Sequence, residues 1–143
     1  MLSADFGPLL AEFALLRARI AYPQPVLGMI GRRAAARAEY EIQTGKSDPD
    51  DHPWAPWADG TADARTKKGN VAQGLLWDAG TLLHSIRVQV GASDVVIGTE
   101  VPYGEYLQDG THRMPARQFL GWGEEAEQEA ERTMIEYLEG VLL

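Results

Sequence analysis

The fold is decided by residues 86–99, I-R-V-Q-V-G-A-S-D-V-V-I-G-T. From Ile86 to Val90 apolar and polar residues alternate, which is the period of a strand with one buried face. The G-A-S-D that follows supplies turn residues, and a second apolar run covers 95–99. The pattern therefore predicts a β-hairpin.

Two helices are predicted on the N-terminal side of the hairpin, within residues 8–44. The first begins at Pro8, which the first turn of a helix tolerates. Its apolar residues recur at helical spacing, so we expect them to be buried; they are Leu9, Phe13, Leu16 and Ile20. After a break at Pro23 and Pro25, the second helix is predicted over Val26–Thr44 with Gly45 as its stop.

Between these helices and the hairpin lies an irregular stretch, residues 46–70. It holds three prolines, two glycines, five aspartates and two tryptophans, with no helical or strand period. We therefore predict an extended loop held down by Trp54 and Trp57.

On the C-terminal side, the β-region is predicted to span 85–120. Pro102 opens a short helical turn over 103–107, and residues 114–120 are predicted to form a third strand. A C-terminal helix is predicted over 122–140, with a buried stripe that ends at Val141 and glutamates on its other faces. The order of elements defines one α+β domain over 1–143, in which a small antiparallel β-sheet packs with N-terminal and C-terminal α-helices and a long loop.

Composition excludes several classes of function. A chain of 143 residues fits one domain, and the absence of cysteine excludes disulfides, thiolate metal ligands and a cysteine nucleophile. A net charge of −8 disfavours non-specific binding to DNA or to an anionic membrane. No run reaches the roughly 18 apolar residues of a membrane span, and the N-terminus has no basic region typical of a signal peptide. We expect a protein made in the cytoplasm.

Two clusters of residues resemble a metal-binding site and a catalytic site. Asp48-Pro-Asp50-Asp51-His52 is either a solvated acidic loop or a weak cation site. Counted from Asp48, the sixth position of a calcium loop, which needs glycine, holds Pro53, and the twelfth holds Asp59. His84 and Ser85 follow Asp78, but no Gly-x-Ser-x-Gly turn frames the serine. Phosphate-binding glycine loops are absent from the sequence. We expect no catalytic, cofactor-binding or metal-binding residues.

Arginines and tryptophans are the candidate interaction residues. Arg32, Arg33 and Arg37 form either a solvated face, an interface with an acidic partner such as the C-terminal helix of another copy, or a nucleic-acid contact. Trp54 and Trp57 either fill the core beneath the loop, lie between subunits or stack on a ligand.

Several segments in order resemble a known family: Pro53-Trp54-Ala55-Pro56-Trp57, Thr66-Lys67-Lys68, residues 75–86, Val96-Ile97-Gly98-Thr99, residues 101–110 and Pro115-Ala116-Arg117-Gln118-Phe119-Leu120-Gly121. This set is similar to the signature of the tailed-phage virion morphogenesis or tail-completion family (phage Mu protein G-like), over about residues 50–140. Gly104 stands where that family more often has alanine.

The resemblance implies a structural virion protein at the neck, between the head and the tail. Such a protein completes or terminates the tail and enables head–tail joining as a ring of subunits, commonly sixfold. The implied partners are other copies of the chain, the head connector or adaptor, and the tail tube or tail terminator, while genome DNA passes through without specific binding. The resemblance adds Tyr103, Arg117 and Phe119 to the candidate interaction residues.

Two other functions stay open at this point. One is a DNA-binding accessory protein that uses the arginine-bearing helix, for which affinity would fall steeply with salt. The other is a small hydrolase built around His84 or the Asp48–His52 cluster.

Overall fold

A computed structural model describes residues 1, 3–44, 47–69 and 74–142. This part of the chain is α+β, as predicted, with five α-helices and a two-stranded antiparallel sheet. The elements are α1 (Gly7–Ala21), α2 (Gln24–Gln43), α3 (Asp59–Lys68), β1 (Ile86–Val90), β2 (Val95–Thr99), α4 (Tyr103–Asp109) and α5 (Glu124–Glu139). A 3₁₀ turn over Leu83–Ser85 leads into β1.

The hairpin forms where the alternation placed it. Ile86 pairs with Thr99 and Val90 pairs with Val95, and the Gly91 N–H donates to the Asp94 carbonyl at 2.9 Å. Ile86 is buried while Arg87 is exposed, because successive side chains of a strand point to opposite faces. The prediction of a hairpin over 86–99 is confirmed.

Helix α2 is the centre of the fold because it buries two opposite faces. Val26 and Ile30 face α5 and form a small core with Tyr137. Ala35 and Ile42, on the other side of α2, face the hairpin. They belong to the main core, whose other buried members are Trp54, Leu76, Leu82, Leu83, Ile86 and Phe119.

Gly31 allows α2 to lie close against the sheet. A Cβ at this position would be 2.6 Å from a methyl of Val88 and 2.6 Å from a methyl of Val95. We expect Gly31→Ala to lower the free energy of unfolding by about 1–3 kcal/mol, through overpacking against two strands.

The matched control is Gly60→Ala in α3, where a Cβ meets no atom within 4 Å. This change should be neutral or stabilising by up to about 1 kcal/mol, because alanine is the better helix former. Urea unfolding followed by circular dichroism measures both variants. Equal midpoints for the two would contradict the close contact between α2 and the sheet.

The predicted loop 46–70 contains a helix, so the prediction is wrong for residues 59–68. Helix α3 buries none of its residues, which is why no apolar period marks it. Its end signals were nevertheless in the sequence: Asp59 in the first turn, Lys67 and Lys68 in the last, and Gly69 with φ 76° as its C-cap. The expected stop at Gly45 and the loop ends at 46 and 70 lie outside the described residues.

The predicted third strand is also wrong, because residues 114–120 join no sheet. Several of their backbone groups bond to helix α4 instead. The Arg117 N–H donates to the Leu107 carbonyl at 2.7 Å, and the side chain of Gln108 accepts from the N–H groups of Phe119 and Leu120. In a strand these backbone groups would bond to a neighbouring strand. Here they bond to residues of helix α4 instead.

Helix α1 has the predicted position but not the predicted burial. None of its residues is buried, and Phe13 and Ile20 are 58% and 61% exposed. The helix packs against α5, where Arg19 donates to the Leu138 carbonyl at 2.9 Å and Tyr137 donates to the Tyr22 carbonyl at 2.6 Å. The core is completed by α2, α5 and the hairpin, so most of the apolar stripe of α1 has no cover among the described residues.

Helix α5 ends at Glu139, two residues before Val141, the predicted end of its apolar stripe. Thr133 and Tyr137 are buried as expected. Gly140 adopts φ 78° and closes the helix, so Val141 lies beyond the helix end and is exposed.

Candidate functional site

Two segments of the family-like signature, 53–57 and 115–121, lie against each other. Arg117 donates from Nε to the Ala55 carbonyl and from Nη2 to the Pro56 carbonyl, each at 2.8 Å. In return, Trp54 Nε1 donates to the Gln118 carbonyl at 2.8 Å. We call these five residues, 54–56 and 117–118, the signature lock. It joins segments about sixty residues apart in the chain.

Gln108 of α4 fixes the second segment of the lock from the opposite side. Its Oε1 accepts the N–H groups of Phe119 and Leu120, and its Nε2 donates to the Leu120 carbonyl at 2.7 Å. A single amide side chain therefore satisfies three backbone groups that a sheet would otherwise have bound. This residue lies in the signature but was not among the candidate site residues.

Arg117 is the charged centre of the lock. It is only 7% exposed, and this burial lowers the pKa of its guanidinium below the ordinary value. Its charge is met by carbonyl dipoles, and no ion pair joins it to a carboxylate of the described residues. A planar group with several donors suits two adjacent carbonyls.

Three other candidate residues differ in their burial. Trp54 and Phe119 lie in the main core, so the core interpretation of Trp54 is the one that the structure supports. Tyr103 begins α4 and is 44% exposed. Gly104 beside it is buried, and a Cβ there would lie 2.8 Å from Thr99 Cγ2, which explains why this chain has glycine.

Trp57 lies at the edge of an open groove rather than in the core. It is half-buried, and its Nε1 donates to the Leu75 carbonyl at 2.9 Å. The guanidinium of Arg65 covers one face of its ring at 4.6 Å from the ring centre, a cation–π contact. Tyr103, Leu107 and Met114 also line this groove, which encloses about 750 Å³.

The arginines of α2 contact the acidic C-terminal helix of their own chain. Arg33 lies 3.1 Å from Glu129 Oε1 and donates to the Thr133 hydroxyl at 2.8 Å. Arg37 lies 2.9 Å from Glu125 Oε2. The suggestion that another copy supplies the acidic partner is therefore not needed for these two residues.

Arg37 also contacts two further carboxylates. It lies 3.2 Å from Asp51 and 3.5 Å from Glu41, whose side chain is buried. The hydrogen bond to Glu125, helped by the neighbouring negative charges, raises the pKa of Arg37 above its ordinary value. Arg32, by contrast, is exposed and forms no ion pair with the part of the chain that the structure describes.

We expect Arg37→Glu to lower the free energy of unfolding by about 2 kcal/mol, because it places a fourth carboxylate among three and leaves Glu41 uncompensated. The value is below the 3–5 kcal/mol of a fully buried pair because Arg37 is about one-third exposed. Arg32→Glu on the same helix is the control, and its effect should stay within about 0.5 kcal/mol. Equal unfolding midpoints in urea for the two variants would contradict the role of Arg37.

Each aspartate of the acidic cluster has a structural partner. Asp48 Oδ1 accepts the N–H groups of Asp50 and His52, both at 2.9 Å. Burial opposes ionisation of Asp48, but these bonds and the His52 ring outweigh it and lower the pKa of Asp48 below its ordinary value. Asp51 adopts φ 65° and contacts Arg37. Within the described ranges, no group of three or more His, Asp or Glu side chains is placed to hold a metal ion.

Asp50 caps α5 from outside the helix. Its Oδ1 accepts the N–H of Glu124, the first residue of α5, at 3.0 Å, while the residue in the N-cap position, Gly123, has no side chain to do so. We expect Asp50→Ala to destabilise the protein by about 0.5–2 kcal/mol, the usual effect of losing an N-cap. Asp50→Asn should retain most of the stability, and thermal unfolding of the two variants tests this difference.

His84 and Ser85 do not form a catalytic arrangement. The Ser85 hydroxyl is bonded to the Leu82 carbonyl and to the Thr99 hydroxyl, while His84 is exposed. A nucleophile requires its hydroxyl to reach a general base. The serine instead ties the 3₁₀ turn to the end of β2.

The chain matches a known protein family over most of its length. The model of the phage virion morphogenesis family matches residues 5–139, and the chain belongs to that family. Membership implies a structural, non-enzymatic protein of the phage virion. No curated protein and no solved structure shows a match to the chain. None of the helices among the described residues has the length and apolarity needed to cross a membrane.

Proposed function

We propose that the protein is a neck subunit of the virion, which completes or terminates the tail and enables head–tail joining as a ring of copies. The observation that carries the proposal is the ordered set of signature segments, which resembles that of tail-completion proteins and lies within the family match over 5–139. The signature lock gives these segments a shared physical role, because it holds the loop, α4 and the main core together.

The partners that follow from this proposal are protein surfaces. Copies of the chain form the ring, commonly sixfold, and the head connector or adaptor and the tail tube or tail terminator lie on its two sides. An acidic ring with a net charge of −8 per subunit favours passage of DNA without binding. The arginines of α2 do not favour a DNA-binding role, since Arg33 and Arg37 are paired with carboxylates.

Exposed apolar surface favours an assembly subunit over an isolated protein. Monomeric soluble proteins rarely expose large contiguous apolar patches. Here a whole helix, α1, lacks buried residues although it carries several large apolar side chains. A ring or a stack of subunits would cover the apolar residues that the described part of one chain leaves exposed.

Labelling of purified virions tests the placement. A short epitope is added after the C-terminal residue, and gold-labelled antibody is located by electron microscopy. The proposal predicts one cluster of label at the junction of head and tail, with a copy number per particle in the range of a single ring by quantitative mass spectrometry. Label along the tail, or its absence from virions that contain the other structural proteins, would contradict it.

A further inference from the structure

Exposed apolar residues are concentrated in the N-terminal arm, which we define as residues 5–22. Its exposed large apolar residues are Phe6, Leu9, Leu10, Phe13, Leu15, Ile20 and Tyr22. At roughly 200 Å² for a fully exposed side chain, and with 47–66% of each exposed, the four of them that share one face, Leu9, Leu10, Phe13 and Ile20, present on the order of 450 Å² of apolar surface. This is more than half of one partner's share of a standard protein–protein interface, which is about 800 Å².

Most of these residues form one continuous face. Leu9 and Phe13 are four residues apart, and Ile20 follows seven residues, or about two turns, later. The three side chains therefore share one side of the helix, and Leu10 widens the stripe. The attachment to α5 uses a different side of the helix, through Arg19. The stripe is therefore both exposed and held in a fixed direction.

The groove beside Trp57 is the complementary feature. It is an open channel of about 750 Å³ between α3 and α4, lined by apolar side chains that include Leu75, Leu82 and Met114. An amphipathic helix that lays its apolar face into such a groove is a common mode of recognition.

The charges of the groove complement those of the N-terminal part of the arm. Over residues 5–16 the arm carries Asp5 and Glu12 and no basic residue, whereas Arg17 and Arg19 follow further along. The groove is lined by three arginines, Arg65, Arg113 and the buried Arg117, and by one carboxylate, Asp78. This complementarity favours binding of residues 5–16 in the groove.

The arm cannot reach the groove of its own chain. It packs against α5, which covers the Val26–Ile30 face of α2, while the groove borders the main core on the opposite face of α2. Donor and acceptor surfaces therefore lie on different sides of one subunit. A contact between two such different surfaces repeats head to tail and closes into a ring when the rotation allows it.

We propose that the N-terminal arm of one copy binds in the groove beside Trp57 of a neighbouring copy. The inference rests on the proposed function, since it specifies the contact that builds the proposed ring. The occupant of the groove is residues 5–22 of a second copy of this chain.

Because the chain has no cysteine, disulfide crosslinking tests the contact directly. Leu10→Cys places a thiol on the arm, and Thr61→Cys places one on the exposed rim of the groove. The two single variants of the full chain are mixed and oxidised, and the products are separated on denaturing gels without reductant. We expect crosslinked dimers that contain one chain of each kind, and a ladder of larger species from the double variant Leu10→Cys/Thr61→Cys.

Three results would overturn the proposal. Dimers of the Leu10→Cys variant alone would mean that two arms pair with each other. An equal yield from a mixture with Glu131→Cys, which lies exposed on α5, would mean random collision. Absence of crosslinks in every mixture, at concentrations where sedimentation detects association, would place the contact elsewhere.

A second pair of variants measures the strength of the contact. Phe13→Asp should weaken self-association at least about tenfold, as expected when an aromatic interface anchor is lost. Ala11→Asp, exposed on another side of the same helix, should leave it nearly unchanged. Equal association constants would contradict the docking of the stripe.

The neck assignment and the contact between the arm and the groove can fail separately. If virion labelling places the protein at the junction and the crosslinks do not form, the neck assignment stands and the arm contact falls. If the crosslinks form but the label lies elsewhere in the virion, the arm contact stands and the neck assignment falls.

Discussion

Replacement of Arg117 by alanine is expected to lower the free energy of unfolding by about 3–5 kcal/mol. The variant removes two charge-assisted hydrogen bonds, each worth about 1.5–3 kcal/mol, and leaves the carbonyls of Ala55 and Pro56 without these donors. Since a domain of this size has about 5–15 kcal/mol of total stability, this is a large fraction. The midpoint of thermal unfolding should fall by about 10 °C or more.

Two controls separate the lock from a general effect of losing charge. Arg117→Lys keeps a positive charge but lacks the planar fork, so it should recover only a minor part of the loss. Arg113→Ala changes an exposed arginine in the same segment and should stay within about 0.5 kcal/mol of the unmodified protein. Chemical unfolding of the three variants gives the comparison, and an Arg117→Ala midpoint equal to that of Arg113→Ala would contradict the lock.

Trp54→Ala is expected to have a comparable effect, about 3–5 kcal/mol, because it opens a cavity in the main core. The side chain is 7% exposed and also donates its indole N–H to the Gln118 carbonyl. Trp54→Phe retains most of the packing and should cost about 1–2 kcal/mol for the lost bond and the smaller ring. Trp122→Ala is the control, since that tryptophan is exposed.

A double-mutant cycle then tests whether Trp54 and Arg117 act together. Both residues join segment 53–57 to segment 115–121. Once one contact is lost the two segments are less firmly positioned, so the remaining contact contributes less to stability. We expect the double variant to lose less stability than the two single losses combined, with a coupling of about 0.5–3 kcal/mol. Additive losses, measured by urea unfolding, would show that the two residues stabilise the fold independently.

The sequence predicts best where one face of an element is buried. The hairpin follows from strict alternation between Ile86 and Val90, and α5 follows from its spacing together with the glutamates of its first turn. Helix α5 also ends directly before a residue with special backbone preference, Gly140. In these cases local pattern and tertiary packing agree.

Periodicity fails in two opposite ways. Helix α3 has no buried face and therefore no apolar period, so it is detectable only by its end signals. Helix α1 has the period of a buried helix, but the described part of its own chain does not cover the stripe. An apolar period predicts burial without stating which molecule provides it.

The site residues show the limit of reasoning from residue types. The signature identified Trp54, Arg117 and Phe119, but the contacts of Trp54 and Arg117 with residues about sixty positions away are set by tertiary structure. The interface interpretation of Arg33 and Arg37 specified the right partner, the acidic C-terminal helix, but in another copy rather than in the same chain. Charge complementarity alone cannot distinguish these two cases.

The neck assignment is tested most directly by deleting the gene from the phage or prophage that carries it, inducing lysis and imaging the particles by electron microscopy. The neck assignment predicts filled heads beside unattached or overlong tails, with normal virions restored by the unmodified gene supplied in trans. Intact, infectious virions from the deletion would contradict the assignment of this protein to the junction of head and tail.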